Sequence, residues 1–328
     1  MKAIGVEGIS HLLRNLYLVS RIKNERPLGV LIVAPPGLGK SFILGITRYS
    51  KLIFVSDMTP GGLEQILLEC RRMGNTGYIV SPELEKILSR KWAIAQYFTL
   101  ANIILEEGIT YLARYNIKVK FEEPLNFGLI SALTPETFKR RQEEMEGRGF
   151  LSRHLVVGFD YCDADKIAIE GFILRSETPD KIMVRDVQPQ EVIIPPQLLP
   201  ALARLSSRLA SVRNDKYRFR AITQLRTLLK AEALANGRTE VEMKDAQNLY
   251  CLLPFFLSGN ILTQTLFGLE RQATDADYCF LRQFIFGEKW FGDGQMYDEE
   301  TKKWASNRLL KMKLLMWEDG KFKLSKGI

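Results

Sequence analysis

GVLIVAPPGLGKSFILGIT, Gly29 to Thr47, decides the fold. Its first five residues, Gly29 to Val33, form the continuous apolar run of a fully buried strand. A turn of Pro, Gly and Leu follows. Lys40 and Ser41 then open an amphipathic helix whose apolar residues are Phe42, Ile43, Leu44 and Ile46. Strand, glycine-rich turn, Lys-Ser and helix, in that order, are the context of a phosphate-binding P-loop. Gly37 and Gly39 carry no Cβ, so phosphate oxygens can approach the backbone N–H groups closely. The first N–H groups of the helix add positive potential. Lys40 is placed to reach β- and γ-phosphates, and the Ser41 hydroxyl to ligate Mg²⁺. The candidate nucleotide-binding segment is therefore Ala34, Pro35, Pro36, Gly37, Leu38, Gly39, Lys40, Ser41 and Phe42. Ala34 stands where such loops usually begin with Gly. The alternative reading is an ordinary strand–turn–helix with glycines for packing.

Outside this stretch, the 328 residues suffice for two or three domains. The apolar and charged fractions are those of a soluble globular protein. No apolar run reaches about 18 residues, so no membrane span is expected, and the N-terminus does not read as a signal peptide. Cys70, Cys162, Cys251 and Cys279 are scattered with no CxxC pair, and the chain has two histidines. That pattern gives no zinc-site spacing; reduced thiols in a cytoplasmic protein are the expectation. The net charge of +8 favours an anionic partner.

In chain order, residues 1–26 read as an N-terminal helix from about Gly8 to Lys23, capped by Ser10 or an upstream turn. Strands are expected at Leu52 to Val55, Gly77 to Val80, Phe127 to Leu133 and Leu155 to Phe159, alternating with helices. Such alternation argues an α/β domain, residues 27–195, with a parallel sheet covered on both faces. ITYLARYNIKVKF reads as a β-hairpin with Tyr115-Asn116 near its tip. Residues 165–195 alternate apolar and polar, which suggests an extended or β connection. Residues 196–262 read as a small helical bundle. Residues 263–328 give helix, linker, helix and a hairpin turning at Asp319-Gly320, the pattern of a winged helix-turn-helix.

This order of motifs resembles an AAA+ ATPase, and within that superfamily the minichromosome maintenance (MCM) helicase group. The resemblance implies a P-loop parallel sheet, a helical lid, a C-terminal winged helix, ATP and Mg²⁺ as ligands, and a homo-oligomeric ring or open ring. YIVSPELEKI matches the Walker B element, with Pro82 in the Asp position and Glu83 in that of the water-activating Glu. Asp57 or Glu85 could replace the missing metal partner. The alternative for Glu83 is a solvated acid at a helix start. LISALTPETF puts Thr134 at the sensor 1 position, FLSRHLVV puts Arg153 at the arginine finger, and FRAITQLRTLLKAEALA puts Arg220, or else Arg218, at sensor 2; the alternatives are an Arg153 paired with a surface carboxylate and an Arg220 that is an exposed helix cation. His154 reads as structural. The hairpin matches the element that carries a DNA-contacting cation near its tip, here Arg114, with Lys118 and Lys120 nearby; its alternative is a solvated surface hairpin.

In the terminal unit, Lys302, Lys303, Arg308, Lys311 and Lys313 cluster on or near one helix, offering a surface to DNA or to a protein partner, with Trp290, Trp304 and Trp317 as candidate core. The functional expectation is an ATPase acting on DNA as an oligomer, of helicase or loader type. The alternative, motivated by Pro82, is a nucleotide-dependent switch or scaffold with little or no hydrolysis.

Overall fold

The protein is described from a computed structural model, which covers residues 4–72, 77–114, 117–212, 218–259, 266–288, 291–292 and 295–325. Helix α1 (Glu7–Val19) precedes β1 (Gly29–Val33). Every residue of β1 is buried. Its side chains alternate between two cores, Val30 and Ile32 entering one and Leu31 and Val33 the other. A strand that is apolar on both faces needs cover on both faces, which the rest of the chain supplies.

The loop after β1 leads to α2 (Lys40–Ile46), β2 (Thr47–Arg48), β3 (Leu52–Phe54), α3 (Pro60–Arg72), β4 (Tyr78–Ser81), α4 (Leu84–Leu88) and α5 (Lys91–Leu105). A hairpin, β5 (Ile109–Arg114) and β6 (Ile117–Leu125), enters β7 (Gly128–Leu133). Then come α6 (Pro135–Gly147), the short α7 (Phe150–Arg153) and β8 (His154–Gly158). The central sheet has five strands, all parallel, in the order β3-β4-β7-β1-β8. The chain thus leaves β1 for the far edge, returns strand by strand to β7 beside it, and crosses to β8. In such a sheet the ligand crevice lies outside the carboxyl ends of the strands. Those ends are flush here, with Val33 opposite both Leu133 and Gly158.

The expectation of an extended connection over 165–195 fails for its first part, where α8 (Asp163–Leu174) is helical. Alternation over a short apolar run does not separate strand from helix. The tie is broken at the N-terminus, where the Asp165 carboxylate accepts from the Cys162 amide (3.2 Å) as a helix cap and from the Tyr297 hydroxyl (3.0 Å) as a tertiary bond. Only β9 (Ile182–Met183), paired with β2, and isolated bridges at Gln190 and Ile193 carry the expected extended character.

The helical region consists of α9 (Leu199–Val212), α10 (Phe219–Ala235), α11 (Met243–Cys251) and α12 (Leu253–Ser258). The last unit has α13 (Asp275–Phe286), the short pair β10 (Phe291–Gly292) and β11 (Gln295–Met296), α14 (Glu299–Lys311), and a hairpin of β12 (Leu315–Glu318) and β13 (Lys321–Leu324).

Helix α1 is not a separate piece. Its start is capped not by Ser10 but by the Asp275 carboxylate on α13, which accepts from the Gly8 amide at 2.7 Å. One turn on, His11 and Asn15 both bond the buried Glu232 of α10 at 2.5 Å. Among the described residues no helix is long and apolar enough to cross a membrane, and the four cysteines are free and buried.

Candidate nucleotide site

Gly37 and Gly39 take φ of +78° and +71°, conformations that cost a residue with Cβ about 1–2 kcal/mol. A Cβ on Gly37 would meet nothing within 4 Å, so the loop leaves open space on that side. The Lys40 ammonium folds back to donate to the carbonyls of Ala34 (3.0 Å) and Pro35 (3.1 Å). Burial lowers its pKa, and the nearby carboxylates of Glu85 and Glu136 pull the other way without reaching ion-pair distance. A partly desolvated cation bonded only to neutral oxygens fits an arriving anion. Ser41 and Phe42 are exposed at the mouth. Helix α2 has seven residues, so its N–H groups contribute more here than any long-range dipole.

Thr134 lies where the sequence places it. Leu133 and Val33 are register partners, and the Ala34 amide donates to the Leu133 carbonyl at 3.1 Å, so Thr134 follows directly beside the loop. The acid that meets it is Glu85. Its Oε1 accepts from the Thr134 amide (2.9 Å) and from the Thr134 hydroxyl (2.6 Å). Burial raises the Glu85 pKa, but the Thr134 bonds and the Lys40 charge outweigh it, so the carboxyl stays below its ordinary range.

Glu83 turns away. It is about half exposed and pairs with Lys86 at 2.6 Å. The reason is local: Glu83 is the residue before α4 begins, and Glu85 sits in its first turn, where successive side chains step round by about 100°. Asp57 is held by Arg90 and is likewise not a partner of the loop.

A cleft of about 680 Å³ adjoins the other side of the loop. Gly37, Leu38 and Phe42 face Tyr161 and the Ile169 and Ile173 side of α8 across it. This wall was not legible in the sequence, because α8 itself was misread. Glu7, Asp275 and Cys279 place ligand atoms within 4.8 Å of one another, but Asp275 there serves as the cap of α1.

Arg153 and Arg220 come together, but not at this edge. Arg153 immediately precedes β8, whose first residue pairs with Gly29. It therefore lies at the amino edge of the sheet, at least roughly 13 Å of strand away from the loop that follows Val33. Arg220, at the start of α10, reaches the same place. Neither lies beside the loop of its own chain. Arg218 instead donates to Ser207 at 2.6 Å.

In the hairpin, Tyr111 pairs with Lys120 and Ala113 with Lys118. All four are exposed, while Leu112 and Phe121 are buried on the opposite side. Arg114 pairs with Ile117 in the ladder; its side chain and the Tyr115-Asn116 tip lie outside the described residues.

In the C-terminal unit, Arg308 is not a surface cation. It is 5% exposed, donates to the carbonyls of Arg271 and Gln272, and stacks 4.6 Å over Trp304. Lys303 and Lys313 are exposed, Lys311 donates to the Gly268 carbonyl at 3.3 Å, and Lys302 pairs with Glu299 at 3.5 Å. Trp304 packs against the core and Trp317 is exposed on the hairpin; Trp290 lies outside the described residues. His154 is fully buried, stacked on Phe150, and bonded through Nδ1 to the Phe150 carbonyl. Compared with known proteins, the chain matches no family model and no curated protein.

Proposed function

We propose that the chain binds ATP with Mg²⁺ at Ala34 to Phe42 and hydrolyses it, as an oligomeric AAA+ ATPase acting on DNA and resembling the MCM helicase group. The observation that carries this reading is the convergence at one sheet edge of an open glycine loop, a partly buried Lys40, and the Thr134–Glu85 pair. When bound, Mg²⁺-ATP supplies the phosphoanhydride and the charge that Lys40 and Ser41 are placed to meet. The apolar cleft beside Phe42 and Tyr161 has a volume suited to a nucleobase and ribose. Thr134 holds Glu85 ionised and fixes one of its oxygens. The carboxylate then orients the attacking water and accepts its proton. Glu85 takes the role that the motif assigns to Glu83.

Because Arg153 and Arg220 face away from their own loop, they serve a neighbouring copy, and the site is completed between subunits. The exposed Lys118 and Lys120 face contacts DNA phosphates. The helix–hairpin unit at the C-terminus, read as a winged helix, binds DNA or a protein partner.

Calorimetry with Mg²⁺-ATP is expected to show binding for the native chain and none for Lys40→Ala. Glu85→Gln lowers turnover by about 10²-fold or more, whereas Glu83→Gln stays within about twofold. The reverse ranking would overturn the assignment. Pro82 supports one other reading, a switch that binds ATP without turnover; binding with no phosphate release, with or without DNA, would establish it.

A further inference from the structure

Arg153 and Arg220 are 67 residues apart in sequence, yet both guanidinium groups close on one carboxylate. Arg153 Nη2 lies 2.6 Å from Glu106 Oε2. Arg220 donates from Nε to Glu106 Oε1 at 3.0 Å, and its Nη2 lies 2.9 Å from the same oxygen. The rest of the arrangement is built around the two cations. Arg153 Nη1 donates to the Gly149 carbonyl at 2.9 Å, and Arg220 Nη1 donates to Ser152 Oγ at 2.9 Å. Ser152 in turn donates to that same Gly149 carbonyl at 2.9 Å. Gly149 has φ +70°, and a Cβ there would stand 2.5 Å from Arg153 Nη1.

Glu106 follows the last turn of α5, where an acid lies against the helix dipole. Two guanidinium groups offset that placement, and the carboxylate offsets their mutual repulsion. The three groups are 21, 44 and 35% exposed for Arg153, Arg220 and Glu106, so the cluster is open to a docking anion.

We infer that Glu106 is a positioning residue that gathers Arg153 and Arg220 at one point, so that a second copy of this chain presents its nucleotide's terminal phosphate to both arginines at once. The inference rests on the trans reading of the two arginines given above and adds the acid that joins them. A phosphate arriving with the neighbour meets two cations already side by side. Without the carboxylate it would have to draw them together against their repulsion.

The experiment is sedimentation of the full chain across a concentration series in saturating Mg²⁺-ATP, with turnover measured on the same samples. Glu106→Gln raises the assembly midpoint about tenfold and lowers kcat by a similar factor. ATP affinity of the isolated chain stays within about twofold, since the loop lies at the other edge. In an Arg153→Ala/Arg220→Ala background, Glu106→Gln has no further effect, because its action passes through those side chains.

An unchanged midpoint in Glu106→Gln, or an equal further loss in the double-arginine background, overturns the inference while leaving the trans reading standing. If Arg153→Ala/Arg220→Ala assembles and turns over like the native chain, or no sample assembles with ATP, the trans reading fails and this inference with it. Should Glu106→Gln unfold, Glu106→Asp, which keeps the charge on a shorter stem, is expected to retain an intermediate midpoint; a native or fully lost one overturns the inference.

Discussion

Thr134 shows how much one side chain carries. Its hydroxyl donates to Glu85 and accepts from the Thr137 amide as the cap of α6, the latter at a long 3.4 Å. Thr134→Ala removes both, and a lost cap together with a lost charge-assisted bond costs about 1–3 kcal/mol. Thr134→Ser keeps both and stays within about 0.5 kcal/mol; urea denaturation of the two variants checks the difference. A Thr134→Ala protein as stable as the native chain would refute the described geometry.

The positions of Lys40 and Thr134 were legible in the sequence because Lys40 opens α2 and Thr134 directly follows β7. Glu85 was visible only as a substitute metal partner. The choice between it and Glu83 depends on how the chain turns from β4 into α4, through Pro82, and no spacing rule encodes that turn.

At the scale of elements, the sheet strands could be read because each is an apolar run bounded by turns. Helix α8 was misread because a short alternating apolar run does not separate strand from helix, although its cap, the Cys162 amide donating to Asp165, is local. The joint between α1, α10 and α11 was equally hidden. Its centre is Glu232, which bonds His11, Asn15 and Asn248. Burial opposes its ionisation, but His11, Arg14 and Asn15 win and hold its pKa down at about 2, against an ordinary 4.5.

A carboxyl with a depressed folded-state pKa stabilises the protein fully above its unfolded value and loses that contribution as the pH falls through the folded value. The joint therefore adds at most about 3 kcal/mol above pH 4.5 and weakens towards pH 2. Glu232→Gln should flatten that acid limb of stability, read as the urea midpoint from pH 5.5 to 2.5. An unchanged limb would mean that Glu232 is not the group titrating there.

The hairpin gives a second prediction at this scale. Lys118→Ala and Lys120→Ala each weaken DNA binding and reduce the salt slope by about 1, measured by anisotropy at several salt concentrations. A slope unchanged in both variants would return the hairpin to a solvated surface role.

For the whole molecule, the net charge of +8 favours an anionic partner but places no residue. The distribution of groups over the sheet says more. Loop, Lys40, Thr134 and Glu85 occupy the carboxyl edge; Glu106, Arg153 and Arg220 occupy the amino edge. On the reading proposed above, head-to-tail copies complete the site, because such contacts join two different surfaces.

That division makes a mixing experiment decisive. Lys40→Ala retains the arginines and lacks the loop cation; Arg153→Ala/Arg220→Ala retains the loop and lacks the arginines. Each is inactive alone. In an equal mixture that assembles at random, about one interface in four pairs an intact loop with intact arginines, so turnover should recover to about a quarter of the native value. Recovery should follow the product of the two fractions as the ratio is varied. A mixture no more active than its separate components would show that the two edges of the sheet never meet across a working interface.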